Sequence, residues 1–315
     1  MSNPTVDILM ATYNGERFVG EQIESIQSQT YRNWRLLVSD DCSTDGTLDV
    51  VRPYAAEDQR ISVVSEGVRH GGAKENFFTL MEFSTAPFFM LCDQDDVWLP
   101  GKMESEVQAL ADTDPAVPTA VYTDMRVVDN DLHEIAPSFL DQERKRDIQG
   151  DLKRMLSISC VAGCTMFGNA ALRDLVNGTD CSDALMHDWW LAIIASSCGG
   201  MLYLDESTVL YRQHGDNEVG AESYSFTDRV AHYGQSRRRY WLSCVQARSI
   251  LRNYGHAMRD DSRRTVEVYV SQLSGGFMRT VRTMSDRGLL KEGRGRRAGQ
   301  ILTLLLGVPA ELKAE

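Results

Sequence analysis

The chain has 315 residues, 43% hydrophobic and 25% charged, which suffices for one large domain with a buried core and an additional region. Its start has no basic segment followed by a long apolar one, and no apolar run is long enough to cross a bilayer, so we expect no signal peptide and no membrane span. The net charge is −12, and seven cysteines without a C-x-x-C pair indicate reduced thiols in a cytoplasmic protein, not disulfides or a zinc site.

The first part of the chain alternates between strand patterns and helix patterns. Short apolar, β-branched runs predict strands, and segments with apolar residues at helical spacing predict helices. Four successive strand–helix units imply parallel strands joined by right-handed crossovers, so we predict a Rossmann-like α/β sheet flanked by helices. The strands are expected at residues 5–11, 34–40, 60–66 and 87–92, and the helices at 16–29, 45–57, 71–84 and 100–113.

Polar or acidic segments follow three of these strands, at residues 11–16, 39–46 and 92–96. Ligands of parallel α/β sheets bind just beyond the carboxyl ends of the strands, so these segments are the candidate binding loops. The first one lacks the G-x-G-x-x-G pattern of dinucleotide sites, and the chain contains no G-x-x-x-x-G-K-[ST] phosphate loop. The sequence therefore disfavours both of these nucleotide-binding classes.

Three carboxylates crowd into the third segment, where Asp93, Asp95 and Asp96 follow the fourth strand. Carboxylates this close repel one another unless a cation or a solvated loop relieves the repulsion. Oxygen ligands suit a hard divalent cation, so the cluster predicts a site for Mn²⁺ or Mg²⁺, and a solvated turn is the alternative. A phospho-accepting receiver domain also places aspartates at strand ends. It requires an acidic pair after the first strand, which here ends in "ATYNG".

The pattern becomes mixed in the middle of the chain. Strands are expected at residues 119–128 and 201–214, and a helix is expected at 183–200, where it ends in two glycines. The small, glycine-containing segment 157–168 suits backbone that lies close to a ligand. After about residue 225, apolar residues at helical spacing between arginines predict a helical C-terminal region.

Charge is distributed unevenly along the chain. Residues 1–225 carry 16 lysines and arginines against 37 acidic residues, whereas residues 226–300 carry 16 against 6. A basic helical region with an apolar run at 301–308 favours peripheral contact with an anionic membrane. The alternatives are a solvated face and a face that forms a homodimer. Nucleic acid is not expected, because no recognised binding motif accompanies the arginines.

The ordered motifs resemble a known family. Residues 8–47 are similar to the start of the family 2 inverting glycosyltransferases, which have the GT-A fold. "MLCDQDDVW" resembles their D-x-D metal motif, and "MHDWWL" resembles the acidic motif that carries their catalytic base. "LYRQHGDNEVGA" is similar to the end of the catalytic domain in the bacterial rhamnosyltransferase subgroup. The resemblance covers residues 5 to about 221 and implies an α/β GT-A fold with a C-terminal helical appendage.

The resemblance also implies a domain organisation and a reaction. Residues 1–224 would form the catalytic domain, with a nucleotide-binding half at about 1–100 and an acceptor half at about 101–224, followed by the basic helical region 225–315. The reaction would move a sugar, L-rhamnose from dTDP-rhamnose as the first expectation, onto a glycan or lipid-linked saccharide of a cell-surface polysaccharide. The alternatives are a UDP-hexose or UDP-N-acetylhexosamine donor, and a non-catalytic nucleotide-sugar-binding module.

Individual residues take roles from the same resemblance. Asp95 would bind Mn²⁺ or Mg²⁺, with His214 as a further metal or pyrophosphate contact, and Asp188 would be the general base. Inversion requires the acceptor hydroxyl to lose a proton as it attacks opposite the leaving group, and the apolar Trp189 and Trp190 beside Asp188 would raise its pKa. The alternatives are an aspartate that stabilises a helix N-terminus, and tryptophans that belong to the core.

Substrate contacts complete the expected site. Asp41 would accept the N3–H of uracil or thymine, and the ring of Tyr13 would lie against the base. The nucleotide-sugar contacts would be Ala11, Thr12, Tyr13, Asn14, Glu16, Asp41, Lys74 or Arg69 in its place, Asp93 and Gln94. The acceptor sugar would contact the indoles of Trp98, Trp189 and Trp190.

Overall fold

The computed structural model describes residues 3–213, 233–291 and 293–312. Within these ranges nine strands form one mixed sheet, with the spatial order β3-β2-β1-β4-β8-β6-β9-β5 and with β7 paired to β6. In chain order the strands are β1 (Val6–Thr12), β2 (Trp34–Asp40), β3 (Ile61–Ser65), β4 (Phe88–Asp93), β5 (Val97–Trp98), β6 (Thr119–Val128), β7 (Glu134–Ala136), β8 (Met166–Asn169) and β9 (Gly200–Arg212).

Helices cover both faces of this sheet. Those up to β9 are α1 (Val19–Gln27), α2 (Thr47–Glu57), α3 (Ala73–Phe83), α4 (Lys102–Leu110), α5 (Phe139–Gln142), α6 (Leu152–Met155), α7 (Ala170–Val176) and α8 (His187–Cys198). The helices after β9 are α9 (Tyr233–Tyr254), α10 (Asp260–Val270), α11 (Phe277–Asp286) and α12 (Arg294–Leu305). Single 3-10 turns lie at Arg146–Ile148, Gly163–Thr165, Ser271–Leu273 and Ala310–Leu312.

The first four long strands place the binding loops at one edge. β1 pairs in parallel with both β2 and β4, and β2 pairs in parallel with β3. The carboxyl ends of β1, β2 and β4 therefore lie side by side. β8 is antiparallel to both β4 and β6 and joins this parallel half to the rest of the sheet. The predicted Rossmann-like α/β architecture with a helical C-terminal region is confirmed.

Strand alternation divides the core between the two faces of the sheet. Successive side chains of a strand point to opposite faces. In β1, Ile8 and Met10 pack with buried residues of α1 and α2, whereas Leu9 packs with buried residues of α3 and α8. This explains why the strand is apolar at nearly every position instead of alternating, as is typical of a strand covered on both faces.

The helix that carries the candidate base begins later than the sequence pattern predicts. We expected it from residue 183, and it starts at His187. The N–H of Leu185 donates to the side-chain oxygen of Gln246 in α9 at 2.8 Å, so the preceding segment is held by a tertiary bond rather than by helical ones. As a consequence, Asp188 lies in the first turn of α8.

The C-terminal helices pack against the α/β unit. The rings of Trp190 in α8 and Tyr254 in α9 meet edge to face with centroids 6.0 Å apart. Buried residues of α9 to α12 belong to the same apolar cluster as α8 and one face of the sheet. The expected boundary between residues 224 and 225 lies outside the described residues. None of the helices in the described part of the chain combines the length and apolar character needed to cross a bilayer.

Candidate active site

A cavity of about 860 Å³ lies at the carboxyl ends of β1, β2 and β4. Its walls come from the three strand-end loops, the start of α3, the segment 157–164 and the first turn of α8. This is the edge at which parallel α/β sheets bind ligands, and the volume falls within the range of roughly 300–1,000 Å³ for small-molecule sites. The glycine-containing segment 157–168 reaches the cavity, as we expected from its composition.

The loop after β1 lines the cavity with Ala11, Thr12 and Tyr13. The side chain of Gln94 holds this loop: the Tyr13 N–H donates to its oxygen at 3.0 Å, and its amide nitrogen donates to the Tyr13 carbonyl at 2.9 Å. The Thr12 hydroxyl donates to Asp40 at 2.9 Å. The Tyr13 ring is 47% exposed, so it is accessible to a planar base. The structure therefore brings these four predicted contacts together.

Asn14 and Glu16 bind the neighbouring loop instead of lining the cavity. The side-chain oxygen of Asn14 accepts the N–H of Thr44 at 2.8 Å, and the Glu16 carboxylate accepts the N–H of Gly46 at 3.0 Å. These bonds tie the loop after β1 to the loop that leads into α2. The prediction that Asn14 and Glu16 contact the nucleotide sugar is corrected, because neither residue lines the cavity.

Asp41 lines the cavity and orders the turn that begins α3. Its carboxylate accepts the N–H of Gly71 at 3.2 Å, that of Gly72 at 3.0 Å, and that of His70. Both glycines have positive φ, 97° and 145°, a conformation that residues with a side chain rarely adopt. The Gly71 N–H reaches both oxygens at 3.2 Å, so each Asp41 oxygen accepts two contacts, and a base N–H would share an oxygen with one of these donors.

Lys74 is turned away from the cavity. Its ammonium lies 3.0 Å from the Glu75 carboxylate and donates to the carbonyl of Ala184 at 3.1 Å. Arg69, the alternative diphosphate contact, does line the cavity. The prediction for Lys74 is therefore corrected, since its charge is already used to bridge α3 and the segment before α8.

The acidic loop after β4 contributes Asp93, Gln94 and Asp95 to the cavity wall, while Asp96 is buried. Burial, together with the neighbouring charges of Asp95 and Asp93, raises the pKa of Asp96 well above its ordinary value. One of its oxygens accepts the backbone N–H of Arg212 at 3.1 Å. Asp93 and Asp95 are therefore the two aspartates of this loop that face the cavity.

Buried Arg212 fixes the position of this loop. Its Nε donates to the carbonyl of Asp95 at 2.9 Å, and its guanidinium lies 4.5 Å above the centre of the Phe18 ring. A side chain that is 1% exposed and bonded to the backbone does not suit a role in neutralising phosphate. His214, predicted as a metal or pyrophosphate contact, lies outside the described residues.

The donor atoms in this corner suit a hard divalent cation. Single ligand atoms of Asp93, Asp96 and Cys164 lie within 4.8 Å of one another, and the second oxygen of Asp96 is buried without a hydrogen-bond partner within the described ranges. A hard divalent cation prefers oxygen ligands, so the carboxylates of this group suit it better than the Cys164 thiol. Asp95 lies outside this group and faces the cavity.

Asp188 lies at the same cavity as the acidic loop and is 9% exposed. Its oxygens accept the N–H of Trp189 at 2.6 Å and the N–H of Gly163 at 3.1 Å, so its orientation is fixed. Burial raises its pKa to about 6, although these hydrogen bonds and the positive charges of Lys145 and Arg239 act in the opposite direction. A carboxyl group with this pKa is ionised at neutral pH and can still accept a proton.

The three tryptophans predicted to contact the acceptor are all core residues. Trp98 is 1% exposed and packs with Lys102, and Trp190 is fully buried against Tyr254. Neither indole lines the cavity, so the prediction is wrong for these two. Trp189 lines the wall but is only 2% exposed, because its ring faces the interior.

Several cavity residues escaped prediction. Lys145 reaches the cavity from the segment after α5, and Arg239 reaches it from α9. Neither segment has a recognisable motif. His187 also lines it, with its ring stacked 4.0 Å from that of Phe77 and its pKa lowered by burial to about 3. Only the position of His187 next to Asp188 in the sequence could have indicated its place.

Comparisons with known proteins agree with this arrangement. Residues 7–176 match Glycosyl transferase family 2. The dTDP-rhamnosyl transferase RfbG of Shigella flexneri is 27% identical over 267 residues, which are 80% of this chain and 86% of RfbG.

Two crystal structures share the fold. The S. aureus TarS fragment 1–349 in complex with UDP-GlcNAc has a TM-score of 0.58 at 15% identity and covers 98% of this chain and 82% of its own. The Pyrobaculum calidifontis mannosyltransferase PcManGT with GDP-Man and Mn²⁺ has a TM-score of 0.54 at 16% identity and covers 97% and 87%. A crystal structure of a longer S. aureus TarS chain also matches, and the present chain spans half of its length. With a family match over more than half of its length, the chain belongs to glycosyl transferase family 2 and is a glycosyltransferase with the GT-A fold.

Proposed function

We propose that the protein is a metal-dependent inverting glycosyltransferase that moves L-rhamnose from dTDP-rhamnose to a glycan or lipid-linked saccharide of a cell-surface polysaccharide. One observation carries the proposal: the acidic loop after β4 and the buried Asp188 carboxylate line a single cavity. A non-catalytic binding module would have no need for both groups. The chain has both.

The carboxylates of Asp95 and Asp93 provide the cation site of this proposal. Asp95 is the direct ligand of Mn²⁺ or Mg²⁺, and Asp93 contacts the donor sugar, its ribose or a bound water. When bound, the ion would stabilise the negative charge that develops on the departing nucleoside diphosphate. Arg69 adds a positive charge on the same cavity wall. Asp41 and Tyr13 recognise the pyrimidine base, the first by a carboxylate that lines the cavity and the second by its exposed ring.

Asp188 acts as the general base. The acceptor hydroxyl oxygen forms a bond to the anomeric carbon while the bond from that carbon to the phosphate oxygen breaks, and the hydroxyl proton passes to the Asp188 carboxylate. The products are the inverted glycoside and the free nucleoside diphosphate. The fixed orientation of the carboxylate favours this step. The backbone N–H groups of Trp189 and Gly163 donate to it and hold it in place.

The similarity to RfbG supports a dTDP-rhamnose donor, and it extends over most of both chains. The TarS fragment, which binds UDP-GlcNAc, supports the alternative UDP-linked donor. A uracil and a thymine present the same N3–H to Asp41, so this contact does not separate the two donors. Selection must therefore come from the sugar, from the ribose 2′ position or from the C5 methyl group of thymine.

A peripheral, cytoplasmic position on an anionic membrane fits the C-terminal helices. Exposed apolar side chains occur at both ends of the α11–α12 pair, with Met278 77%, Leu305 61% and Leu306 52% exposed. A guanidinium nitrogen of Arg237 at the start of α9 donates to the carbonyls of Leu306 and Gly307. Apolar side chains beside arginines favour insertion at an anionic lipid surface.

The cation site is tested with Asp95→Ala. We expect dTDP affinity in the presence of Mn²⁺ to fall at least about 10–100-fold. Metal affinity falls by this factor when a residue that only hydrogen-bonds to a metal ligand is removed, and Asp95 is proposed as a direct ligand. Isothermal titration measures it, with exposed Asp112→Ala as the control. Equal metal-dependent affinity in wild type and Asp95→Ala would falsify the proposed ligand.

The general base is tested with Asp188→Asn, which keeps the shape of the side chain. We expect kcat to fall about 10²–10⁴-fold, the contribution typical of a positioned base. In the wild type, kcat/KM should decline as the pH falls below the Asp188 pKa of about 6, because a protonated Asp188 cannot accept the hydroxyl proton. Exposed Asp286→Asn is the control. Wild-type turnover in Asp188→Asn would exclude the role.

The donor is identified by thermal unfolding with Mn²⁺ and a panel of nucleotide sugars. We expect dTDP-rhamnose to raise Tm by a few degrees more than UDP-glucose or UDP-N-acetylglucosamine, since a ligand at about 100 times its Kd stabilises by roughly 2.7 kcal/mol. A larger shift with a UDP-sugar would overturn the rhamnose assignment and leave the glycosyltransferase activity in place.

Membrane contact is tested by flotation with anionic vesicles at low salt. We expect the double variant Leu305→Ser, Leu306→Ser to lower the bound fraction about tenfold, because each buried leucine contributes roughly 1.5–3 kcal/mol. Ile135→Ser, which changes a residue of similar exposure on β7, is the control. Wild-type protein that fails to float with the vesicles would contradict membrane binding.

A further inference from the structure

Arg239 connects the C-terminal region to the catalytic cavity. It lies in α9, outside the segment that resembles the family, yet it lines the same cavity as Asp188. Its guanidinium carbon is 5.8 Å from the centre of the Trp189 ring. The side chain is exposed, and no carboxylate of residues 3–213, 233–291 and 293–312 forms an ion pair with it. A cation held at a cavity wall without an acidic partner is available to an anionic ligand.

Lys145 places a second positive charge at this cavity. Its ammonium lies 5.5 Å from the centre of the Phe139 ring and 3.5 Å from the Glu143 carboxylate, a distance that leaves a loose pair. Lys145 and Arg239 both lie close enough to Asp188 for their charges to favour its ionised form. The two cations therefore line the same cavity as the base.

Packing keeps Arg239 in place. α9 is held on the segment before α8 by the hydrogen bond between Leu185 and Gln246 and on α8 itself by the contact between Trp190 and Tyr254. Both anchors lie in the same helix as Arg239, so its backbone position is set by the core. A positively charged side chain on a fixed helix can recognise a charged group with little ordering cost.

We propose that Lys145 and Arg239 form an anion subsite for the acceptor, so that the acceptor carries a phosphate or carboxylate group near the hydroxyl that receives the sugar. The inference rests on the proposed function, because it places the reacting hydroxyl at Asp188. An acceptor seated with that hydroxyl at the base brings its neighbouring groups against the two cations. Charge-assisted hydrogen bonds from guanidinium and ammonium groups would then position it.

The test uses full-length protein saturated with dTDP and Mg²⁺, so that the donor half is filled. Phenyl phosphate, D-glucuronate and neutral D-glucose are titrated calorimetrically into wild type, Arg239→Gln, Lys145→Gln and the control Arg238→Gln. Arg238 is an exposed neighbour of Arg239 that does not line the cavity. The affinity for dTDP is measured first in each variant and reports on the proposed function independently; without dTDP binding, the anions are titrated into the nucleotide-free protein.

We expect at least one of the two anions to bind saturably and glucose to bind more weakly. Arg239→Gln and Lys145→Gln should each weaken anion binding about tenfold or more, as expected for a lost charge-assisted hydrogen bond, while Arg238→Gln and all dTDP affinities stay unchanged. The anion that binds distinguishes a phosphate-bearing from a carboxylate-bearing acceptor.

Three results would overturn the subsite. The first is anion binding no stronger than glucose binding in wild type. The second is unchanged anion affinity in both variants. If these variants also shift the pH profile of donor turnover, the two cations act on the pKa of Asp188 and not on the acceptor. The third is a loss of dTDP affinity in Arg239→Gln as large as its loss of anion affinity, which would assign that arginine to the donor.

Discussion

Mutual repulsion among Asp93, Asp95 and Asp96 at the end of β4 is the constraint on which the rest of the site depends. Burial and the neighbouring charges of Asp95 and Asp93 raise the pKa of Asp96, and Asp93 and Asp95 are the two residues of the loop that face the cavity. Arg212 holds the loop through its backbone N–H, which donates to Asp96, and through its Nε, which donates to the carbonyl of Asp95. We propose that a bound cation compensates the negative charge of the loop.

The parallel half of the sheet explains why the acidic loop after β4 lies next to the loops after β1 and β2. β1 lies between β2 and β4, so the loops after all three strands converge. Gln94 links the acidic loop to Tyr13, and Asp41 holds the turn before α3 through backbone N–H groups. These contacts bind the loops to one another before any substrate arrives, which lowers the entropy cost of ordering them around a ligand.

Local sequence was sufficient for the six longer strands and for the residues that follow them directly, because strand length and the polar segment after it are encoded side by side. It missed β5, β7 and β8, which have only two to four residues each and depend on pairing with distant strands. It failed for Trp98 and Trp190: a pattern of aromatic residues near a motif does not tell whether a ring faces a cavity or the core. It also missed Arg239, which reaches the cavity only because α9 packs on α8. Asn14 and Glu16 were misassigned because hydrogen bonds between two loops cannot be read from either loop alone.

The central claim is that the aspartates after β4 bind a divalent cation together with the nucleoside diphosphate. Anomalous diffraction at the manganese edge, from crystals soaked with dTDP and Mn²⁺, measures this directly. We predict a manganese peak in contact with Asp95 and with the diphosphate oxygens. A well-ordered dTDP in the cavity with no manganese at this loop, or with manganese bound elsewhere, would contradict the claim.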